Sequence, residues 1–153
     1  MKADKTVIFG GFMKVYVAAP LFNSAEKKKN EEIDYILEQC GHKTYLPQRD
    51  GGCFADLPSY IDGRPKEVVL HERDIAALEW CDVLLFVFDG RVPDEGACFE
   101  LGYAYAKGKR CIGFKTDSRS FIGGYDNLML VVSVERVLYN EEELKNFFTY
   151  IGI

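Results

Sequence analysis

The chain has 153 residues, 48% hydrophobic and 28% charged, which suits one globular domain with a full core and excludes a disordered or fibrous class. Its 19 basic and 24 acidic residues leave a net charge of -5, and no basic stripe is interleaved with aromatics, so nucleic acid has no electrostatic hold on it. Five scattered cysteines (Cys40, Cys53, Cys81, Cys98, Cys111) form no close pair of the zinc or redox kind, so no metal site is expected. Their odd number and scatter suit a reducing, cytoplasmic setting.

The first twelve residues carry only a short apolar patch (Val7, Ile8, Phe9), too brief for a signal sequence or a membrane span. They are open to a reading as an extension outside the core, with the domain proper over residues 13–153. Lys14 to Ala19 is a β-prone run ended by Pro20. From Ser24 to Cys40 the spacing of Ile33, Ile36, Leu37 and Cys40 predicts a helix laid on a core, stopped by Gly41. Lys43 to Leu46 reads as a second strand, and Pro47 to Pro65 as a long loop rich in Gly, Pro and Asp.

Lys66 to Trp80 reads as a second helix, and the nearly unbroken apolar run Asp82 to Phe88 as a strand covered on both faces. Glu95 to Lys107 is a third helix, with Asp94 in front of it and Gly108 behind; Arg110 to Phe114 is a fourth strand. Thr116 to Asn127 is polar, Leu128 to Val134 is expected as a fifth strand, and Glu141 to Tyr150 as a closing helix. Strands alternating with helices imply a single flavodoxin-like three-layer α/β domain with a mostly parallel five-stranded sheet. Such a sheet binds ligands at the carboxyl ends of its strands, here the loops after Ala19, Phe88 and Phe114.

Three common tenants of this architecture fail at those loops. Ala18-Ala19-Pro20-Leu21-Phe22-Asn23 is no glycine-rich dinucleotide fingerprint, and neither a Walker loop nor a flavin-phosphate loop is present. Asp89 stands where a receiver domain has its aspartate, but the acidic pair that would hold magnesium is missing. No cofactor is expected.

The informative stretch is Pro93 to Ala104. On a helix, Glu100 shares its face with Gly96, Ala97, Tyr103 and Ala104, and no lysine or arginine there can pair with it. A buried, unpaired carboxylate is costly enough to suggest a use, and its small neighbours leave room for a ligand. The plain alternative is a surface glutamate beside glycines that ease packing, and the pattern alone leaves both open. Asp94 likewise reads as an N-cap, Asp74 as a solvated helix residue, Asn127 as a loop amide and Tyr16 as a strand aromatic. His42 and His71 stand in no triad or ligand spacing.

Four segments together resemble the nucleoside 2-deoxyribosyltransferases: Val15-Tyr16-Val17-Ala18-Ala19-Pro20-Leu21-Phe22, the R-D-I-x-x-L-x-x-C-D run from Arg73 to Asp82, the D-E-G-x-x-x-E-L-G-Y-A run from Asp94 to Ala104, and Asp126-Asn127-Leu128-Met129. The resemblance spans Lys14 to about Val134. It implies that Glu100 attacks the anomeric carbon and holds the deoxyribosyl group covalently until a second base or water takes it, as carboxylate nucleophiles do in glycosyl transfer. It also implies that Asp74 assists protonation of the base and that Tyr16 orients the nucleophile. Asp94 and Asn127 would hold the sugar 5'-hydroxyl, Asn127 from a neighbouring subunit of a homo-oligomer. Phe22, Gly96 and Met129, within the matched motifs, are expected against the substrate. The loop after the first strand departs from the glycine-rich version of some members, and the role some members give their terminal carboxylate is left open.

The implied function is transfer of a 2-deoxyribosyl group between nucleobases in nucleoside salvage, with hydrolysis as a side reaction and deoxynucleosides and free bases as partners. One alternative is a 2'-deoxynucleoside 5'-monophosphate N-glycosidase, which shares fold and nucleophile but carries serines where this chain has Asp94 and Asn127. The alternative from another class is a non-catalytic nucleoside-binding domain.

Overall fold

Side chains alternate across β1 (Lys14–Ala18), so that Val15 and Val17 enter one core and Tyr16 and Ala18 the other. The computed structural model describes residues 11–151; of the expected extension over residues 1–12 only Gly11 and Phe12 fall within it, and the terminal carboxylate lies outside it. Asn23 opens α1 (Ser24–Gln39) with a reciprocal capping box to Glu26, and β2 (Lys43–Tyr45) returns parallel to β1. After a π-type turn at Pro47–Gly51 come the hairpin β3 (Tyr60–Ile61) and β4 (Arg64–Pro65), α2 (Lys66–Trp80), β5 (Val83–Val87), α3 (Glu95–Ala106) and β6 (Arg110–Phe114). A short α4 (Leu128–Val131), β7 (Val137–Leu138) and α5 (Glu141–Tyr150) close the chain.

The five-stranded sheet runs β2-β1-β5-β6-β7, every adjacent pair parallel. Counted along this sheet alone, the order is the flavodoxin-like 2-1-3-4-5, whose switch point falls between β1 and β5. Ile33 and Leu37 of α1 pack with Leu144 and Phe148 of α5 on one face, while Ala77 and Leu78 of α2 pack with Ala97, Leu101 and Ala104 of α3 on the other. The second core contains Tyr16, so the switch-point chemistry lies on the α2/α3 side.

Buried His42 ties the first face together. Its Nδ1 accepts from the Met13 amide at 3.3 Å and its Nε2 donates to the Phe148 carbonyl at 2.7 Å. With both ring nitrogens engaged, His42 holds α5 against the start of β2.

Two expectations are corrected. Leu128 to Val134 is not a strand: Asn127 caps the Met129 amide and starts α4, and the last strand is Val137–Leu138. A short apolar run has no period to separate helix from strand, and the cap decided it. The span Pro47 to Pro65 is also not all loop. Asp62 (φ 50°) and Gly63 (φ 75°) both take positive φ and join β3 to β4, which a two-residue hairpin turn requires.

Candidate active site

The register of two parallel strands creates the site. Tyr16 of β1 stands opposite Tyr45 of β2, and their rings stack with centroids 5.2 Å apart at 19°. Tyr16 is fully buried, and its hydroxyl donates to Glu100 Oε1 at 2.7 Å. Tyr45 donates to Asp74 Oδ1 at 3.0 Å. Each tyrosine thus holds one carboxylate, Glu100 reaching in from α3 and Asp74 from α2.

The loop after β2 closes over this pair. Asp50 Oδ2 accepts the Leu46 amide at 2.8 Å, Arg49 reaches Asp34 Oδ2 on α1 at 2.5 Å, and Arg73 Nη1 donates to the Gly51 carbonyl at 2.8 Å. These ties press Gly51 so close that a Cβ there would lie 3.0 Å from the Tyr45 hydroxyl and 3.1 Å from Asp74 Oδ1.

Electrostatics single out Glu100. Burial pushes its carboxyl up to about 8; the Tyr16 hydrogen bond opposes this, and the charges of Asp74 and Asp94 reinforce it. No cation stands among the causes, as the sequence pattern suggested. Burial also raises Asp74, against the Tyr45 hydrogen bond and the charges of His71 and Arg73. The Tyr16 phenol, buried beside two carboxylates, is held far above the ordinary range and remains a donor.

Asp94 caps α3: its Oδ2 accepts the Ala97 amide at 2.7 Å, and a Cβ on Gly96 would lie 3.1 Å from that oxygen. The structure therefore gathers Tyr16, Asp74, Asp94, Gly96 and Glu100. Phe22 is exposed just before α1, in the loop that leaves β1 at the same end of the sheet. No hydrogen bond joins Asn127 or Met129 to Glu100 among the described residues. The Asn127 Oδ1 accepts the Met129 amide at 2.9 Å, and both residues line an apolar groove of about 960 Å³ with Phe121, Ile122, Tyr125 and Val132.

Asp89 is occupied structurally, accepting the Thr116 and Asp117 amides at 2.6 and 2.9 Å and tying the loops after β5 and β6 together. Tyr45 and Gly51 are the site residues that sequence reasoning missed. Tyr45 lies within the predicted second strand, and only the register with Tyr16 reveals it; the glycine pair Gly51-Gly52 in an overlong loop was the one signal for the other.

The nucleoside 2-deoxyribosyltransferase family model matches residues 15–144. A conserved protein from Enterococcus faecalis V583 has 28% sequence identity, a TM-score of 0.74, and coverage of 89% of this chain and 96% of its own. A 2-deoxyribosyltransferase from Bacillus psychrosaccharolyticus has 23% identity, a TM-score of 0.70, and coverage of 87% and 90%. A CMP N-glycosidase from Clostridium botulinum has 22% identity, a TM-score of 0.55, and coverage of 88% and 96%; at such identities the last two likenesses speak for the fold alone. Among curated proteins no match was found. With the family model spanning most of the chain, from the first residues of β1 into α5, the chain belongs to the nucleoside 2-deoxyribosyltransferase family.

Proposed function

We propose that this protein transfers a 2-deoxyribosyl group between nucleobases through a covalent ester on Glu100, with hydrolysis as a side reaction. The carrying observation is the Tyr16–Glu100 pair: a carboxylate without a cationic partner, half-buried at the switch point and held through one oxygen by a phenol at 2.7 Å. In its ionised form, with Oε1 engaged by Tyr16, Oε2 is the attacking oxygen. It bonds to C1' of the sugar as the C1'–N bond breaks, and the bond's electron pair leaves with the base, which takes a proton from Asp74. A second base, or water, then displaces Glu100 from C1'.

Asp94 holds the 5'-hydroxyl through the carboxylate oxygen not used in capping. Asn127 and Met129 complete the site of a neighbouring copy: within one chain they line the exposed apolar groove, and neither is hydrogen-bonded to Glu100. That groove, with Tyr125 79% and Val132 74% exposed, is what a second copy would cover.

Mixing a deoxynucleoside with a second free base tests the reading. A new nucleoside supports transfer, free deoxyribose alone would mark a hydrolase, and no change a binding module. Glu100→Ala is expected to abolish exchange while circular dichroism stays native. A variant keeping a tenth of wild-type turnover, a barrier loss of only ~1.4 kcal/mol, would remove Glu100 as nucleophile.

A further inference from the structure

Asp74 has two carboxyl oxygens in unequal settings. Oδ1 accepts the Tyr45 hydroxyl at 3.0 Å and sits where Gly51 presses closest, while Oδ2 has no hydrogen-bond partner among the described residues. Tyr45 cannot swing away easily. Its ring is stacked on Tyr16, which is itself anchored to Glu100, and Gly51 packs closely beside its hydroxyl. An oxygen that accepts a hydrogen bond from a phenol is the poorer place for the acid's own proton.

We propose that Tyr45 is the positioning residue for Asp74, fixing Oδ2 as the oxygen that carries the proton and gives it to the leaving base. The inference rests on the glycosyl-transfer reading above and adds a member to its machinery. As the C1'–N bond breaks, its electron pair goes to the base nitrogen, the Oδ2–H bond breaks toward the base, and the resulting carboxylate keeps the Tyr45 hydrogen bond on Oδ1. That bond favours the charged form, so Tyr45 makes Asp74 a stronger acid than its burial alone would leave it. The other groups facing Asp74 are Tyr16 of β1 and Glu100 of α3, with His71 and Arg73 on its own helix; Asp50 acts on Tyr45 from the loop.

The test is Tyr45→Phe, which keeps the stacked ring and removes the donor. In the free protein, the carboxyl-carbon resonance of Asp74 is expected to titrate at higher pH in the variant. In deoxynucleoside cleavage, kcat should fall roughly tenfold with KM little changed, and the basic limb of the pH profile should move up. On an Asp74→Asn background, Tyr45→Phe should have no further effect.

An Asp74 midpoint that stays or falls, or independent losses in the double variant, would overturn the assignment. If wild-type protein cleaves no deoxynucleoside, the function above fails while the titration still decides Tyr45. Should Tyr45→Phe not fold, a fluorotyrosine at position 45 supplies a stronger donor and must move the Asp74 midpoint down; an unmoved midpoint then counts against the proposal.

Discussion

Glu100 is held in a setting that favours its uncharged form, and this has a consequence for stability. Its folded carboxyl lies at about 8 against an ordinary 4.5, so between these values the folded state binds more protons than the unfolded one. Stability attributable to Glu100 therefore falls as pH rises through this window, by at most ~5 kcal/mol at 1.36 kcal/mol per unit. Glu100→Gln, which keeps an acceptor for Tyr16, is expected to melt higher than wild type at pH 9, with the gain vanishing below pH 4.5; equal melting curves across that range would contradict the buried-carboxylate picture. Asp94 answers a different question, nucleoside or nucleotide. A helix N-terminus welcomes anions, but here a carboxylate already occupies it through the Ala97 amide at 2.7 Å. A 5'-hydroxyl can donate to Asp94, whereas a 5'-phosphate meets a like charge at a cost of ~1 kcal/mol or more. Deoxynucleosides should be preferred over their 5'-monophosphates, and Asp94→Ser, still a good cap, should narrow or reverse the preference. Equal kcat/KM for the monophosphates in wild type would instead favour the glycosidase reading.

At the scale of elements, the turn Pro47–Gly51 is the piece that makes two strand tyrosines into a site. It is anchored by Asp50 to the Leu46 amide just before it, by Arg49 to Asp34 of α1 and by Arg73 of α2 to the Gly51 carbonyl, so that two of the three ties reach other elements. Gly51 is required for closeness, since a methyl there would stand 3.0 Å from the Tyr45 hydroxyl and 3.1 Å from Asp74 Oδ1. Gly51→Ala is expected to cost about 1 kcal/mol of stability through a shift of a few tenths of an ångström. Because the displaced groups are Asp74, the proposed acid, and the tyrosine that holds it, turnover should fall more than stability suggests, on the order of tenfold or more. Thermal melting and kcat measured on one preparation check this; unchanged kcat would show that the turn is packing alone. Tyr45 and Gly51 share a reason for being illegible in the sequence. Each matters through a neighbour distant along the chain, Tyr16 at the same register height or Asp74 on another layer, and no local pattern carries that information.

For the whole molecule, the question is how many chains make one site. Asn127 and Met129 lie on an exposed apolar groove, and no hydrogen bond joins Asn127 to the Glu100 cluster within one chain. Sedimentation is expected to show a homo-oligomer, and Val132→Asp in that groove should favour monomers and lower turnover at least ~tenfold with the fold intact. A fully active monomer at assay concentration would refute shared sites. The sequence by itself determined the alternation of elements, the parallel sheet and the helix carrying Glu100, because periodicity, caps and glycine stops act over a few residues. It also supplied the four motifs by which the family was legible. Only the tertiary structure decided that Glu100 is engaged by Tyr16 rather than solvated, that Asp94 both caps and faces the site, and that Leu128 to Val131 is a helix. Burial, register and close approach are properties of pairs far apart in the chain: Tyr16 and Glu100 are 84 positions apart and touch only because the sheet puts β1 beside the face that α3 covers.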